Sequence, residues 1–152
     1  MPDTGRSAYK NYIGGQWVES VSGRTYPVFN PAKKTESVGE FQTSNTDDAA
    51  AAVVAAKEGL AAWANTPAPG RAAVLFRAME VLGRRGDEIA RTITTEEGKP
   101  IGDAQGEVKR AMNIIEYAAG EGRRMFGYTT PSELPNTVAY TVRRPLGVVG
   151  II

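Results

Sequence analysis

The sequence has no cysteine and no histidine among its 152 residues. Those zeros remove every thiol nucleophile, every Cys/His zinc site and every Ser-His-Asp triad from the chain. They also leave the redox compartment unreadable, because there is no disulfide usage to report on it. Charge of one sign is lacking too. Lys+Arg 18 against Asp+Glu 17 gives a formal charge of +1, which provides no electrostatic footprint for nucleic acid or an anionic membrane. No uninterrupted apolar run approaches the ~18 residues of a membrane span. The opening Met1-Pro2-Asp3-Thr4-Gly5-Arg6 leads into no apolar signal region, so the chain reads as cytoplasmic. Repeats and low-complexity stretches are missing as well.

The residues present describe an ordinary globular chain: 41% hydrophobic, 23% charged, with 17 Gly and 9 Pro. A domain of this length can bury about 70% of its unfolded surface, so a core is expected without disulfides or a structural metal.

Residues 9–43 carry strand signals. Tyr12-Ile13 and Gln16-Trp17-Val18 flank Gly14-Gly15, the two-residue spacing of a tight hairpin. A further extended piece runs from Tyr26 to Phe29, where Pro27 suits an edge or a bulge, and Asn30-Pro31 turns the chain. The period then changes. After Ser44-Asn45-Thr46, Val53, Ala56, Leu60 and Trp63 recur at helical spacing, with Asp47 and Asp48 in the first turn. Pro67 and Pro69 end that helix. A second is expected over about 70–85, with Leu75, Ala78, Met79 and Leu82 on one stripe and Gly86 as its stop. Asp87 should cap a third, which packs Ile89 and Ile93 and stops at Gly98 before Pro100. A fourth near 103–125 sets Ala104, Val108, Met112, Ile115 and Ala119 in register. Trp17 and Trp63 read as core.

Beyond Phe126 the helical period is lost, and Gly127, Pro131 and Pro135 break the backbone. Residues 138–142 alternate as a half-exposed strand would. The last run, Pro145-Leu146-Gly147-Val148-Val149-Gly150-Ile151-Ile152, is continuously apolar, as in a parallel strand covered on both faces. Such a strand needs a neighbour reached through a crossover of a dozen or more residues, so the chain is expected to be incomplete. An antiparallel pairing within a small self-contained α+β domain is the alternative.

No catalytic constellation emerges. Gly14-Gly15 and Gly147-Val-Val-Gly150 are not a G-x-G-x-x-G opening a helix, and Gly147 and Gly150 read as close-packing positions. Glu96-Glu97 could suggest paired acid-base chemistry, but neighbouring helical residues point about 100° apart, which favours a solvated helix end. Arg84-Arg85, Arg123-Arg124 and Arg143-Arg144 are separate pairs without interleaved aromatics, and the helix dipole accounts for the first.

The order of segments is more specific than any one of them. Tyr12-Ile13-Gly14-Gly15-Gln16-Trp17-Val18, Phe29-Asn30-Pro31-Ala32, Ala61-Ala62-Trp63, Arg71 opening a Leu-rich helix, Glu96-Glu97-Gly98-Lys99-Pro100 and the run from Arg144 to Ile152 occur in sequence. Together they resemble the N-terminal third of the NAD(P)-dependent aldehyde dehydrogenase superfamily. The stretch from Tyr117 to Arg124 looks most like members that oxidise short semialdehydes such as ketoglutaric or succinic semialdehyde.

The resemblance implies an α/β fold: an incomplete, Rossmann-like cofactor domain with an N-terminal hairpin, four helices and an oligomerisation arm. It divides the chain into 1–125, the N-terminal part of the cofactor domain, 126–144, the arm, and 145–152, the first strand of the cofactor sheet. It implies NAD or NADP as cofactor, a small aldehyde as substrate and a homo-oligomer formed through the arm. In the family a Cys thiolate attacks the aldehyde, hydride passes to the nicotinamide, and water activated by a Glu releases the acid. None of those groups can be assigned here, so the resemblance implies scaffold and no catalytic residue. It leaves Ile151 and Ile152 at the edge of the cofactor cleft, and the carbonyls of Val28 and Phe29 with Glu96 as ligands for a sodium or potassium ion. The alternative is a non-catalytic interaction module that retains the assembly arm.

Overall fold

The computed structural model describes residues 8–152; the reading of the Met1 to Arg6 opening lies outside the described residues. The strand-rich half opens with β1 (Asn11–Ile13) and β2 (Gln16–Val18), paired antiparallel with Tyr12 opposite Trp17. Gly14 at φ 59° and Gly15 at φ 81° form the turn, and two consecutive positive φ values are what glycine supplies without strain. β3 (Thr25–Phe29) pairs antiparallel with β4 (Ser37–Gln42), and the register shifts between Val28 and Phe29. Pro27 lies beside that bulge on a strand with one partner, as a residue without an N–H requires.

Four helices follow: α1 (Thr46–Asn65), α2 (Ala68–Arg84), α3 (Gly86–Glu97) and α4 (Ile101–Gly120), then a 3-10 turn at Glu121–Arg123. Several expected boundaries differ, beginning with α2, which already starts at Ala68 so that Pro69 lies in its first turn instead of ending α1. Arg85, at φ −104° and ψ 12°, ends α2, while Gly86 is the first residue of α3 and Asp87 stands in its first turn rather than at the cap. The junction is a tight corner in ordinary backbone, so it uses neither the left-handed freedom of glycine nor a side-chain cap. α4 starts two residues early, at Ile101 behind Pro100, because proline suits the edge of a helix. It gives way at Gly120 to the 3-10 turn, short of Met125. Gly98 does close α3, at φ 73°.

The core is small. Ala90, Ala104 and Val108 are buried between α3 and α4, flanked by Ile89, Ile93 and Met112, and Ala72 and Ala119 complete the buried hydrophobic set among the described residues. Every one but Val108 is alanine. The small side chains let α2, α3 and α4 pack closely, and α4 presents the stripe expected of it.

Most large apolar side chains remain in solvent. Trp17 is 67% exposed and Trp63 47%, which corrects their reading as core. Tyr12 tilts against Trp17 at 4.9 Å between ring centroids, and both rings stay more than half exposed. A compact protein of this mass would expose about 7,500 Å² by the usual surface scaling, whereas the chain exposes 12054 Å². The expected burial therefore is not reached.

After the helices, β5 (Thr129–Thr130) pairs antiparallel with β6 (Ala139–Tyr140) in a narrow ribbon. The alternating stretch at 138–142 is thus a strand only at its centre. Residues 145–152 form no strand, because no described segment lies alongside to complete a ladder. Gly147 and Gly150 have open space where a Cβ would go, so close packing is not what calls for glycine there; Gly147 adopts φ 101° instead.

Candidate functional site

Asp48 is the most elaborately held acid in the chain. Asn45 caps α1, its side-chain oxygen accepting from the Asp47 and Asp48 amides at 2.9 and 3.2 Å. Asp48 accepts in return from the Asn45 amide at 2.9 Å, completing a capping box. Its carboxylate also takes the Ser20 hydroxyl at 2.6 Å and the Val21 amide at 3.0 Å. The Ser20 hydrogen bond, then those from the Asn45 and Val21 amides, hold its carboxyl below the ordinary range for aspartate. A carboxylate so fully partnered is a poor proton acceptor. It ties the 19–24 loop to α1 and does no acid-base chemistry.

Lys99 bridges Glu97 at 2.8 Å and Glu107 at 2.7 Å, joining the end of α3 to α4. The hydrogen bonds it donates to Glu107 and then to Glu97 raise its ammonium above the usual lysine range. Glu97 is thereby committed to Lys99, and Glu96 stands exposed with no ion pair among the described residues, so the two acids do not cooperate. Among the described residues no three His, Cys, Asp or Glu side chains cluster to hold a metal. The ends of β3 and α3 are nonetheless neighbours: a Cβ on Gly98 would stand 3.0 Å from Pro31 Cγ and 3.2 Å from the Ala32 amide. Ile151 and Ile152 extend into solvent, 91% and 127% exposed.

A cavity of about 410 Å³ opens where the end of α1, the start of α2 and residues 143–147 meet. It is lined by the apolar residues Leu60, Trp63 and Met125 together with Arg71, Arg143 and Arg144. Arg71 donates to the Thr66 carbonyl and approaches Met125 Sδ at 4.0 Å. Arg143 Nε donates to the Phe126 carbonyl at 3.2 Å. Among the described residues no carboxylate lines the cavity. Each arginine is visible in the sequence but their convergence is not, the one available signal being the lack of acids around Arg143-Arg144.

Residues 17–152 match the model of the aldehyde dehydrogenase family. The α-ketoglutarate semialdehyde dehydrogenase of Haloferax volcanii is 43% identical over 143 residues, which cover 94% of this chain and 30% of that protein. The crystal structure of succinate-semialdehyde dehydrogenase from Burkholderia pseudomallei superposes with a TM-score of 0.87 at 37% identity, over 91% of this chain and 29% of that one. A NAD-dependent benzaldehyde dehydrogenase from Corynebacterium glutamicum superposes with a TM-score of 0.79 at 36% identity, over 89% and 29%. The chain therefore spans about 30% of the length of the curated relatives it matches.

Proposed function

The chain belongs to the aldehyde dehydrogenase family, and from that premise we propose that the protein carrying it oxidises an aldehyde to the carboxylic acid with NAD or NADP, a short semialdehyde being the substrate. The observation behind the proposal is the family match over residues 17–152. Residues 8–152 serve as scaffold in this reading. Without a cysteine they offer no thiol to attack an aldehyde. The cofactor supplies the hydride acceptor. Ile151 and Ile152, apolar and uncovered, suit the wall beside a planar ring of the cofactor.

The semialdehyde half of the reading draws on the Haloferax relative and the Burkholderia structure. The benzaldehyde enzyme, at nearly the same identity, makes substrate the point to test. At its full encoded length, the protein should reduce NAD or NADP and show a higher kcat/KM for ketoglutaric and succinic semialdehydes than for uncharged aldehydes of equal length, since specificity is a ratio of these constants. Preference for the uncharged aldehydes would defeat the substrate claim, and no reduction with any aldehyde would defeat the activity. The 152-residue chain alone should give no turnover.

The exposed apolar side chains along residues 126–152 favour a second reading, a non-catalytic interaction module assembling through the 126–144 arm. Coding sequence past codon 152 that continues into a cysteine-bearing domain would exclude it. We also propose the Val28 and Phe29 carbonyls with Glu96 as ligands for a sodium or potassium ion. The neighbouring ends of β3 and α3 and the exposed carboxylate of Glu96 suit hard oxygen ligation. Potassium or sodium should then raise the melting temperature of the wild-type chain but not of Glu96→Gln.

A further inference from the structure

We propose that the cavity beside Trp63 binds an organic anion, a carboxylate or phosphate carried on an apolar body. What sets this place apart is the gathering of arginines rather than their lack of partners, since Arg77, Arg84, Arg91 and Arg110 also stand without an ion pair among the described residues. Arg71, Arg143 and Arg144 converge on one cavity, and none has a carboxylate within ion-pair distance among the described residues.

Their fixed contacts are with neutral acceptors. The Thr66 carbonyl orients Arg71, and the Phe126 carbonyl takes Arg143 through Nε, with no acceptor for its two terminal nitrogens among the described residues. Like charges brought together repel, and an anion among them turns that cost into attraction. The start of α2 adds to the field, because Pro67 stands at its cap with no side-chain acceptor to offset the positive end of the helix dipole. Guanidinium forks match the paired oxygens of carboxylate and phosphate. A bare inorganic ion would leave unused the apolar surface that Leu60, half-exposed Trp63 and Met125 offer in the same cavity. The volume of about 410 Å³ lies within the range of small-molecule sites, roughly 300–1,000 Å³.

The test uses the full 152-residue chain with Trp17→Phe, so that Trp63 is its one fluorophore of that type. Benzoate and phenyl phosphate should each change the Trp63 emission saturably, at least one with the higher affinity expected of its geometry, and benzamide should not. Arg143→Gln with Arg144→Gln removes charge from exposed positions outside any helix, so the far-UV circular dichroism should be unchanged while affinity falls at least about tenfold. Arg110→Gln on α4, outside the cavity, should bind as the parent does, and binding should weaken with salt. The absence of saturation, an equal response to benzamide, or full affinity in the double variant would overturn the proposal. So would saturation by a short Glu-Leu peptide but by neither small anion, which would make the cavity a protein-docking surface.

Discussion

Gly122 occupies the 3-10 turn after α4, against the start of α2. A Cβ there would lie 2.5 Å from the Ala72 Cβ and 3.0 Å from the Ala68 carbonyl oxygen, closer than packed atoms tolerate. Ala68 belongs to helix backbone and Ala72 is buried, so neither can swing aside. Gly122→Ala should therefore destabilise the chain by about 1–3 kcal/mol, the usual cost of overpacking. Gly106, inside α4 with nothing within 4 Å, presents the opposite case. Gly106→Ala should stabilise by about 0.5–1 kcal/mol, because alanine loses less conformational entropy in a helix. Urea unfolding of the two variants should move in opposite directions.

At the level of elements, the junction of the sheet half with α1 depends on one ionised carboxylate. Asp48 serves the cap of α1 and the 19–24 loop together, and the hydrogen bonds that serve both also depress its pKa. The folded value lies below the unfolded one, about 3.9. The stabilisation is then present in full above the unfolded value and is lost as pH falls through the folded value. Asp48→Asn should be less stable than the parent at pH 7, and the two melting temperatures should approach each other as the pH is lowered below about 4. A constant difference across that range would show that the charge is not what matters.

α2, α3 and α4 were legible in the sequence through apolar spacing and proline placement, signals that act within a turn or two of the chain. Their exact junctions were not. Whether Gly86 ends one helix or begins the next depends on how closely α2 and α3 fold onto α4, which no local pattern records. The ribbon of β5 and β6 was half legible. Alternation at 138–142 marked one strand, but its partner Thr129–Thr130 is too short to show any period.

Taken whole, the chain exposes an area far above that of a compact protein of its mass, and Tyr128, Leu134, Val138, Tyr140, Leu146 and Ile151 are each more than two-thirds exposed. Apolar surface on that scale drives association. The isolated chain should self-associate, and light scattering should report a mass that grows with concentration. Tyr140→Pro removes a donor from β6 and should reduce that growth, because the ribbon has an open edge. A clean monomer at high concentration in both proteins would refute the expectation.

Composition and local pattern were enough to exclude thiol and imidazole chemistry from these 152 residues, to place the hairpin turn at Gly14-Gly15, and to set the helical stripe of Ala104, Val108 and Ala119, because each follows from residues close together in the chain. The collinear motifs sufficed for the family. Only the tertiary structure decided that Trp17 and Trp63 stand in solvent, that residues 145–152 lie without a ladder, and that Arg71 meets Arg143 and Arg144 beside Trp63. Burial, strand pairing and the convergence of charges all depend on which distant segments come together, and that is settled by packing rather than by the spacing of residues along the chain.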